Sequence, residues 1–295
     1  MEKLNSIIKL IRVDQWTKNL FVFAPILFSM QFQNTQALLN ATLAFIGFSF
    51  IASSIYIIND WCDIESDKLH PKKKNRPMAS GAITKKTASI LLICLIIVGL
   101  SIFLFVIKNY SASFLTIGYL LLNVAYSLKL KHFAIIDITI VALGFVIRLF
   151  VGSLVTDIVL SHWIIIMTFL LALLLVLGKR KNDVVLFEKT GQQMRKSITG
   201  YNSQFLTATI IVVSSVTIVA YIMYSISPEV IERNGKNLYL TSLFVILGLL
   251  RYLQVIFLEK GGDNPTRLFI KDRFIHLDIL CWLISFITIS LLKDF

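Results

Sequence analysis

Long apolar stretches separated by short charged ones recur along this chain, and they constrain its fold more than any other feature. Nine windows qualify as membrane crossings: about 19–32, 40–59, 88–107, 111–128, 134–155, 160–178, 203–226, 238–257 and 274–292. A spanning helix needs about 20 apolar residues, fewer when a bundle surrounds it. Inside a bilayer no water satisfies the backbone N–H and C=O groups, so segments of this kind fold as helices. Charged residues make up only 16% of the chain, against about 25% in soluble domains. The expectation is an all-α polytopic membrane protein with nine transmembrane helices, forming a single integral membrane domain over 1–295. Pro25 interrupts the first window, which a bundle tolerates. Only SLKLKH separates the fourth window from the fifth.

Positive residues set the orientation. Of 29 lysines and arginines, 24 fall in the N-terminal segment and in 60–87, 129–131, 179–196 and 251–273. The opposite face has Lys108, Arg233, Lys236 and Lys293, and Arg148 lies inside a span. This asymmetry places the N-terminus in the cytoplasm, with the charged, chemically equipped loops beside it, in a multi-pass protein of the cell membrane. The net charge of +12 is thereby a topology signal and not a nucleic-acid surface. The N-terminus, MEKLNSIIKLIRVDQWTKNL, is amphipathic and shows no small-residue cleavage site. Cys62, Cys94 and Cys281 have no CxxC spacing and read as unpaired thiols. No sequence repeat stands out, although the loop at 179–202 faintly echoes the one at 60–87.

The chemistry concentrates in NDWCDIESDKLHPKKKNRPMASG, residues 59–81. Asn59, Asp63 and Asp67 recur every four residues, and Asp60 adjoins the first. On a helix continued from the preceding span they form one column roughly 12 Å tall. Such acids beside a membrane repel one another without a cation. Hard oxygen donors with no Cys among them suit Mg²⁺, whose shell substrate phosphates complete. His70 beside Pro71 reads as structural. A cationic run, Lys72, Lys73, Lys74 and Arg76, follows at once. The three lysines are explained by topology alone, whereas Arg76 sits in a rigid Arg-Pro step and grips phosphate bidentately. Lys18, in QWTKN, opens the first window and reaches the same mouth or anchors the interface with Trp16.

Two further groups matter. In YSLKLKHFAIIDITIVALGFVIRLFVG, residues 126–152, Lys129 and Lys131 lie at the inner end, while Asp137 and Arg148 lie in apolar sequence. Eleven residues separate that acid and that arginine, about 16 Å of helix, so each needs a partner elsewhere or a charged ligand. LGKRKNDV, residues 177–184, ends the sixth window with Lys179, Arg180 and Asp183. The last inner loop, NPTRLFIKDRFIHLD, reads as interfacial charge capping the ninth.

These residues resemble the UbiA-type membrane prenyltransferase superfamily, whose first aspartate motif NDxxDxxxD matches. RVDQWTKNLFVFAPILFS at 12–29, the 59–81 run, YSLKLK at 126–131, IDITIVALGFVIR at 136–148 and LGKRKND at 177–183 resemble its polyprenyl (decaprenyl)-phosphate phosphoribosyltransferase branch. The resemblance covers the whole chain and implies a UbiA-like helical bundle. It also implies Mg-dependent transfer of 5-phosphoribosyl from phosphoribosyl diphosphate to a polyprenyl phosphate, in precursor synthesis for the cell wall. Implied roles are metal binding for Asn59, Asp60, Asp63 and Asp67, and substrate binding for Lys18, Lys73, Arg76, Tyr126, Lys129, Arg148, Lys179 and Arg180. Asp137 and Asp183 would stabilise an oxocarbenium-like transition state. The partners implied are the sugar diphosphate, the lipid phosphate and membrane lipids; a homo-oligomer is compatible with the sequence.

One departure guides the choice within the superfamily. Prenyl diphosphate users share a second aspartate-rich motif after the sixth span, where this chain reads GKRKND with one acid, Asp183. The alternative is a prenyltransferase that acts on an aromatic or quinone precursor, which needs that second pair. An anion transporter is a second alternative, but transporters place their sites at the midplane, and here the ionisable groups gather at helix ends.

Overall fold

The computed structural model describes residues 2–69, 73–190, 196–258 and 272–292. Their regular elements are all helices, with no strand among the described residues. Eight helices among them are long and apolar enough to cross a membrane: Thr35–Cys62, Lys85–Ile107, Tyr110–Leu128, Ile136–Thr156, His162–Glu188, Ser203–Ser225, Leu238–Leu258 and Arg273–Leu291. The chain is a multi-pass membrane protein. The first of the nine windows is not among these eight. A 3-10 helix runs over Val13–Phe23 and a six-residue α-helix over Ala24–Ser29, where Pro25 occupies the first turn. Proline is suited to a helix start and not to its interior. Met30, with φ 57°, then ends the short helix.

Helix starts are written in the sequence. Asn34, Asn109 and Asn202 each accept a hydrogen bond from the backbone N–H three residues on, at 3.0, 2.9 and 2.7 Å. Thr84 and Asp272 do the same for the helices that follow them. Each cap satisfies a donor that has no partner inside its helix.

The chain divides into two compact units. The first holds Met1–Lys131 and Gly144–Leu160. Its centre is α3 (Thr35–Cys62), whose Ala44, Phe48, Ile51 and Ile55 pack with Val22, Phe103, Tyr119, Val151 and Val155. Small residues allow close backbone approach. A Cβ on Gly47 would lie 3.1 Å from the Gly99 carbonyl oxygen, and one on Gly152 only 2.1 Å from that of Val22. The Asn40 and Asn109 side chains donate to the carbonyls of Val155 and Leu154 near the end of Ile136–Thr156. These carbonyls lie in a last helical turn, where intrahelical donors run out. At the N-terminus, α1 (Glu2–Ile11) buries Leu10 and exposes Leu4 and Ile8.

The second unit holds His132–Leu143 and Ser161–Phe295. Leu174, Leu177 and Val184 of the helix His162–Thr190 pack with Ile198, Leu206, Ile210 and Tyr252. The Tyr252 hydroxyl donates to the Leu174 carbonyl at 3.0 Å, so a polar tip inside the core is satisfied. This helix continues through GKRKNDV to Thr190. The charges at 179–183 therefore ride on a helix and not in a loop, as the good helix formers there favour.

Candidate functional site

In the first unit, α3 ends at Cys62, and a five-residue helix, Ile64–Lys68, follows. Asp63 caps one and starts the other with φ −100°, ψ 5°. The expected single column of Asn59, Asp63 and Asp67 on one continued helix is thus interrupted, because the backbone leaves the helical region at Asp63. Bonds from Asp63 N–H to Asn59 and from Asp67 N–H to Asp63 still link the two pieces. The kink separates the acids into two sets.

One Arg76 nitrogen donates to both Asp60, at 3.2 Å, and Asp67, at 2.7 Å. Arg12 donates to the same Asp60 oxygen at 2.5 Å, and its guanidinium lies 4.7 Å from the centre of the Tyr56 ring. Asp63 faces the other way and meets Lys131 at 2.5 Å. Asp60 and Asp67 are each 2% exposed. Buried carboxylates need this degree of pairing. Three acids are balanced by three cations, two of which, Arg12 and Lys131, the sequence marks only as topology charges. Among the described residues no three His, Cys, Asp or Glu side chains converge as a metal cluster does.

The donor set nonetheless fits a hard divalent ion. The Arg76 nitrogen occupies the place between two carboxylates that a cation takes, and every donor is oxygen. The Asn59 amide has no hydrogen bond among the described residues and flanks Asp60.

Arg148 is 5% exposed. Its Nε donates to the Asn19 side chain at 2.8 Å, and its terminal nitrogens donate to the Gly144 carbonyl at 2.6 Å and the Tyr119 hydroxyl at 2.8 Å. The rings of Phe48, Tyr119 and Phe145 surround it at 5.0–5.3 Å. Neutral acceptors and ring faces are the partners that the sequence led us to expect elsewhere, and both stabilise a desolvated guanidinium. Asn19 in turn donates to Ser49 at 2.8 Å. Arg148 thereby ties the 3-10 segment to the helices behind it. Lys18, next to Asn19, is half-buried with no side-chain bond among the described residues. Burial, then the charges of Arg148 and Arg12, push its ammonium down to about 8.

Lys73 is half-buried, Tyr126 is half-buried, and Lys129 is exposed. The residue two positions on, Lys131, makes the contact with the aspartate motif. His70 and Lys72 lie outside the described residues, as does most of the last inner loop. At that loop's end Asp272 pairs with Arg251 at 2.7 Å, which holds its carboxyl below the usual range.

The second unit has its own charged cluster. Asp137 is fully buried. It accepts from Arg180 Nε at 2.6 Å, from the Tyr201 hydroxyl at 2.6 Å and from Ser197 at 3.4 Å. Arg180 also donates to Asp183 at 3.0 Å. The Tyr201 hydroxyl accepts from the Ile135 N–H at 2.6 Å. Burial and the bond to Asp137 push the Tyr201 hydroxyl well above its ordinary value. Gly200 permits this approach, since a Cβ there would lie 2.5 Å from the Ala134 Cβ. Asp137, expected beside the reacting sugar, is enclosed by protein donors and sets the direction of Arg180. Lys179, one residue earlier, is half-buried. Tyr201, Ser197 and Tyr119 lie in no motif of the sequence, whereas Asn19 lies in QWTKN and is passed over for Lys18.

A family model described as the UbiA prenyltransferase family matches residues 20–277. A decaprenyl-phosphate phosphoribosyltransferase of Mycolicibacterium smegmatis is 31% identical over 293 residues, covering 95% of this chain and 91% of that one. Another so named, from Corynebacterium glutamicum, is 27% identical over 281 residues, covering 94% of this chain and 84% of that one. A solved structure of a UbiA homolog from Archaeoglobus fulgidus, bound to GPP and Mg²⁺, has the same fold. It aligns with a TM-score of 0.70 at 17% identity, covering 98% of this chain and 99% of that one.

Proposed function

Because the chain belongs to the UbiA prenyltransferase family and is a transferase, we propose that it moves 5-phosphoribosyl from phosphoribosyl diphosphate to a polyprenyl phosphate. A phosphate oxygen of the lipid forms a bond to the anomeric carbon, the bond from that carbon to the diphosphate breaks, and pyrophosphate leaves. The acceptor is already anionic, so no strong base is needed.

The observation that carries this reading is the interleaving of acids and cations in the first unit. Asp60, Asp63 and Asp67 alternate in space with Arg12, Arg76 and Lys131. A site with as many cations as acids suits a diphosphate donor joined to a phosphate acceptor. A prenyl diphosphate user leans on two acid pairs instead, and the acids of the second unit, Asp137 and Asp183, are both held by Arg180. Relatives matching along nearly the whole chain and named decaprenyl-phosphate phosphoribosyltransferase support the same branch.

Asn59, Asp60, Asp63 and Asp67 would hold Mg²⁺. When bound, that ion supplies positive charge to the departing diphosphate. Lys18, Lys73 and Arg76 bind donor phosphates. Tyr126 and Lys129 lie on the sugar-phosphate or lipid-phosphate path, and Arg148 acts through Asn19 on the segment that carries Lys18. In the second unit Lys179 and Arg180 are phosphate ligands, Asp183 offsets developing positive charge, and Asp137 orients Arg180. We assign the whole chain to one transferase domain, with its N-terminus and charged helix ends on the cytoplasmic side of the cell membrane, as the positive-residue asymmetry favours.

The test uses protein purified in detergent with Mg²⁺, a polyprenyl phosphate and radiolabelled phosphoribosyl diphosphate. Label should enter the lipid phase, and EDTA or Asp63→Ala should abolish it. Incorporation of prenyl diphosphate into an aromatic acceptor, with no sugar transfer, would move the protein to the other branch.

A further inference from the structure

Arg12 stands in an unusual place. Its backbone adopts φ 51°, ψ 56°, a left-handed conformation that is unfavourable for a non-glycine residue. Such strain persists where surrounding structure enforces it, and it concentrates at functional positions. Here it turns the chain sharply between α1 and the 3-10 helix and aims the guanidinium at Asp60. The side chain is about a quarter exposed, at 23%, while its partner is 2% exposed. Arg76 donates to the same Asp60 oxygen at 3.2 Å, but its shorter bond, at 2.7 Å, goes to Asp67. Two guanidiniums, 23% and 25% exposed, therefore meet at one carboxylate oxygen, and Arg12 makes the shorter contact.

We propose that Arg12 is a resident counter-ion of Asp60 that yields the carboxylate to an incoming divalent cation and then turns to the donor's diphosphate. This rests on the metal–diphosphate reading above and adds a ligand to it. The charge balance favours the exchange. Without substrate, three acids face three cations. Entry of a divalent ion leaves the freed guanidinium without a partner, and a diphosphate brings the oxygens it needs in the fork geometry that arginine matches. Only the side chain has to move, and the exposed edge of Arg12 permits that.

The test measures metal and anion binding, not turnover. Mn²⁺ binding to the purified chain is followed by electron paramagnetic resonance, first alone and then with inorganic pyrophosphate. Wild type is compared with Arg12→Gln and with Arg12→Gly, since glycine tolerates the left-handed backbone. Both variants should bind Mn²⁺ alone about tenfold more tightly, because a charge-assisted competitor for Asp60 is gone. Both should bind pyrophosphate to the Mn²⁺-loaded protein about tenfold more weakly. Arg12→Lys should fall between them and wild type. If the glycine variant behaves as wild type, Arg12 serves the backbone alone and the inference is overturned. Unchanged or weaker Mn²⁺ binding in both variants overturns it equally. A wild type that binds no Mn²⁺ sinks the metal reading together with this one, whereas a binding wild type with silent variants sinks this one only. Should the glutamine variant fail to fold, the glycine and lysine variants decide.

Discussion

The Tyr201 hydroxyl donates to the Asp137 carboxylate at 2.6 Å. Sixty-four residues separate them in sequence, and the bond fixes the acid that orients Arg180. A hydrogen bond to a buried charged group is worth about 1.5–3 kcal/mol. Tyr201→Phe should lower stability by roughly that amount, read as a fall in the thermal midpoint in detergent. It should also lower kcat with little change in the donor's KM, the mark of a residue acting through another.

If Lys18 binds donor phosphate as proposed, it should make activity depend on pH. Its ammonium, pushed down to about 8, loses its proton within the working range of an assay. The folded value lies below the unfolded one, so the charged lysine costs stability at neutral pH, and that cost fades as pH rises through 8 towards 10. Phosphate binding moves the opposite way, since only the protonated form attracts an anion. The donor's kcat/KM, which reports on the free enzyme, should fall above about pH 8. Lys18→Arg should flatten the profile, because arginine stays charged.

Gly152 and Gly118 form a contrasting pair. A methyl group on Gly152 would lie 2.1 Å from the Val22 carbonyl, while one on Gly118 meets nothing within 4 Å. Overpacking against backbone costs about 1–3 kcal/mol or more. Gly152→Ala should reduce the yield of monodisperse protein on size exclusion and depress its thermal midpoint. Gly118→Ala should match wild type in both.

Arg148→Lys keeps the charge and removes the fork. A lysine cannot reach the Asn19, Gly144 and Tyr119 acceptors together, nor lie flat among the Phe48, Tyr119 and Phe145 rings. Stability should drop by roughly 3 kcal/mol, and the donor's KM should rise as the segment bearing Lys18 loosens. Chemical denaturation and steady-state kinetics measure the two effects separately.

Much of this fold was legible because the bilayer imposes it. Continuous apolar windows became helices, and Asn34, Asn109, Asn202 and Asp272 marked their starts by a local rule that needs only three residues. Pro25 announced the change in the first window, although not that a 3-10 helix over Val13–Phe23 would precede the α-helix it starts. The acids of the site were legible for the same reason, as charges in a place where charge is costly. Their partners were not. Arg12 lies 48 residues from Asp60, and Lys131 lies 68 from Asp63, so only tertiary packing brings them together, and in sequence both look like ordinary inner-face positives. Arg148 needed a partner elsewhere or a charged ligand, and it has partners in Asn19, Gly144, Tyr119 and the Phe48 ring, whose identity only packing reveals. Tyr201 sits in ITGYN, a stretch with no periodicity or motif, and its value depends on Gly200 allowing close approach.

The Arg76 nitrogen shared by Asp60 and Asp67 bears on how the protein is made. A transferase whose acids waited for an ion would reach its native form only as fast as the cell could load it, and would be degraded when that ion ran short. Here the chain carries the neutralising charge from the ribosome onward. On the proposed metal reading, magnesium scarcity should therefore slow each molecule's work and leave the number of molecules in the membrane untouched.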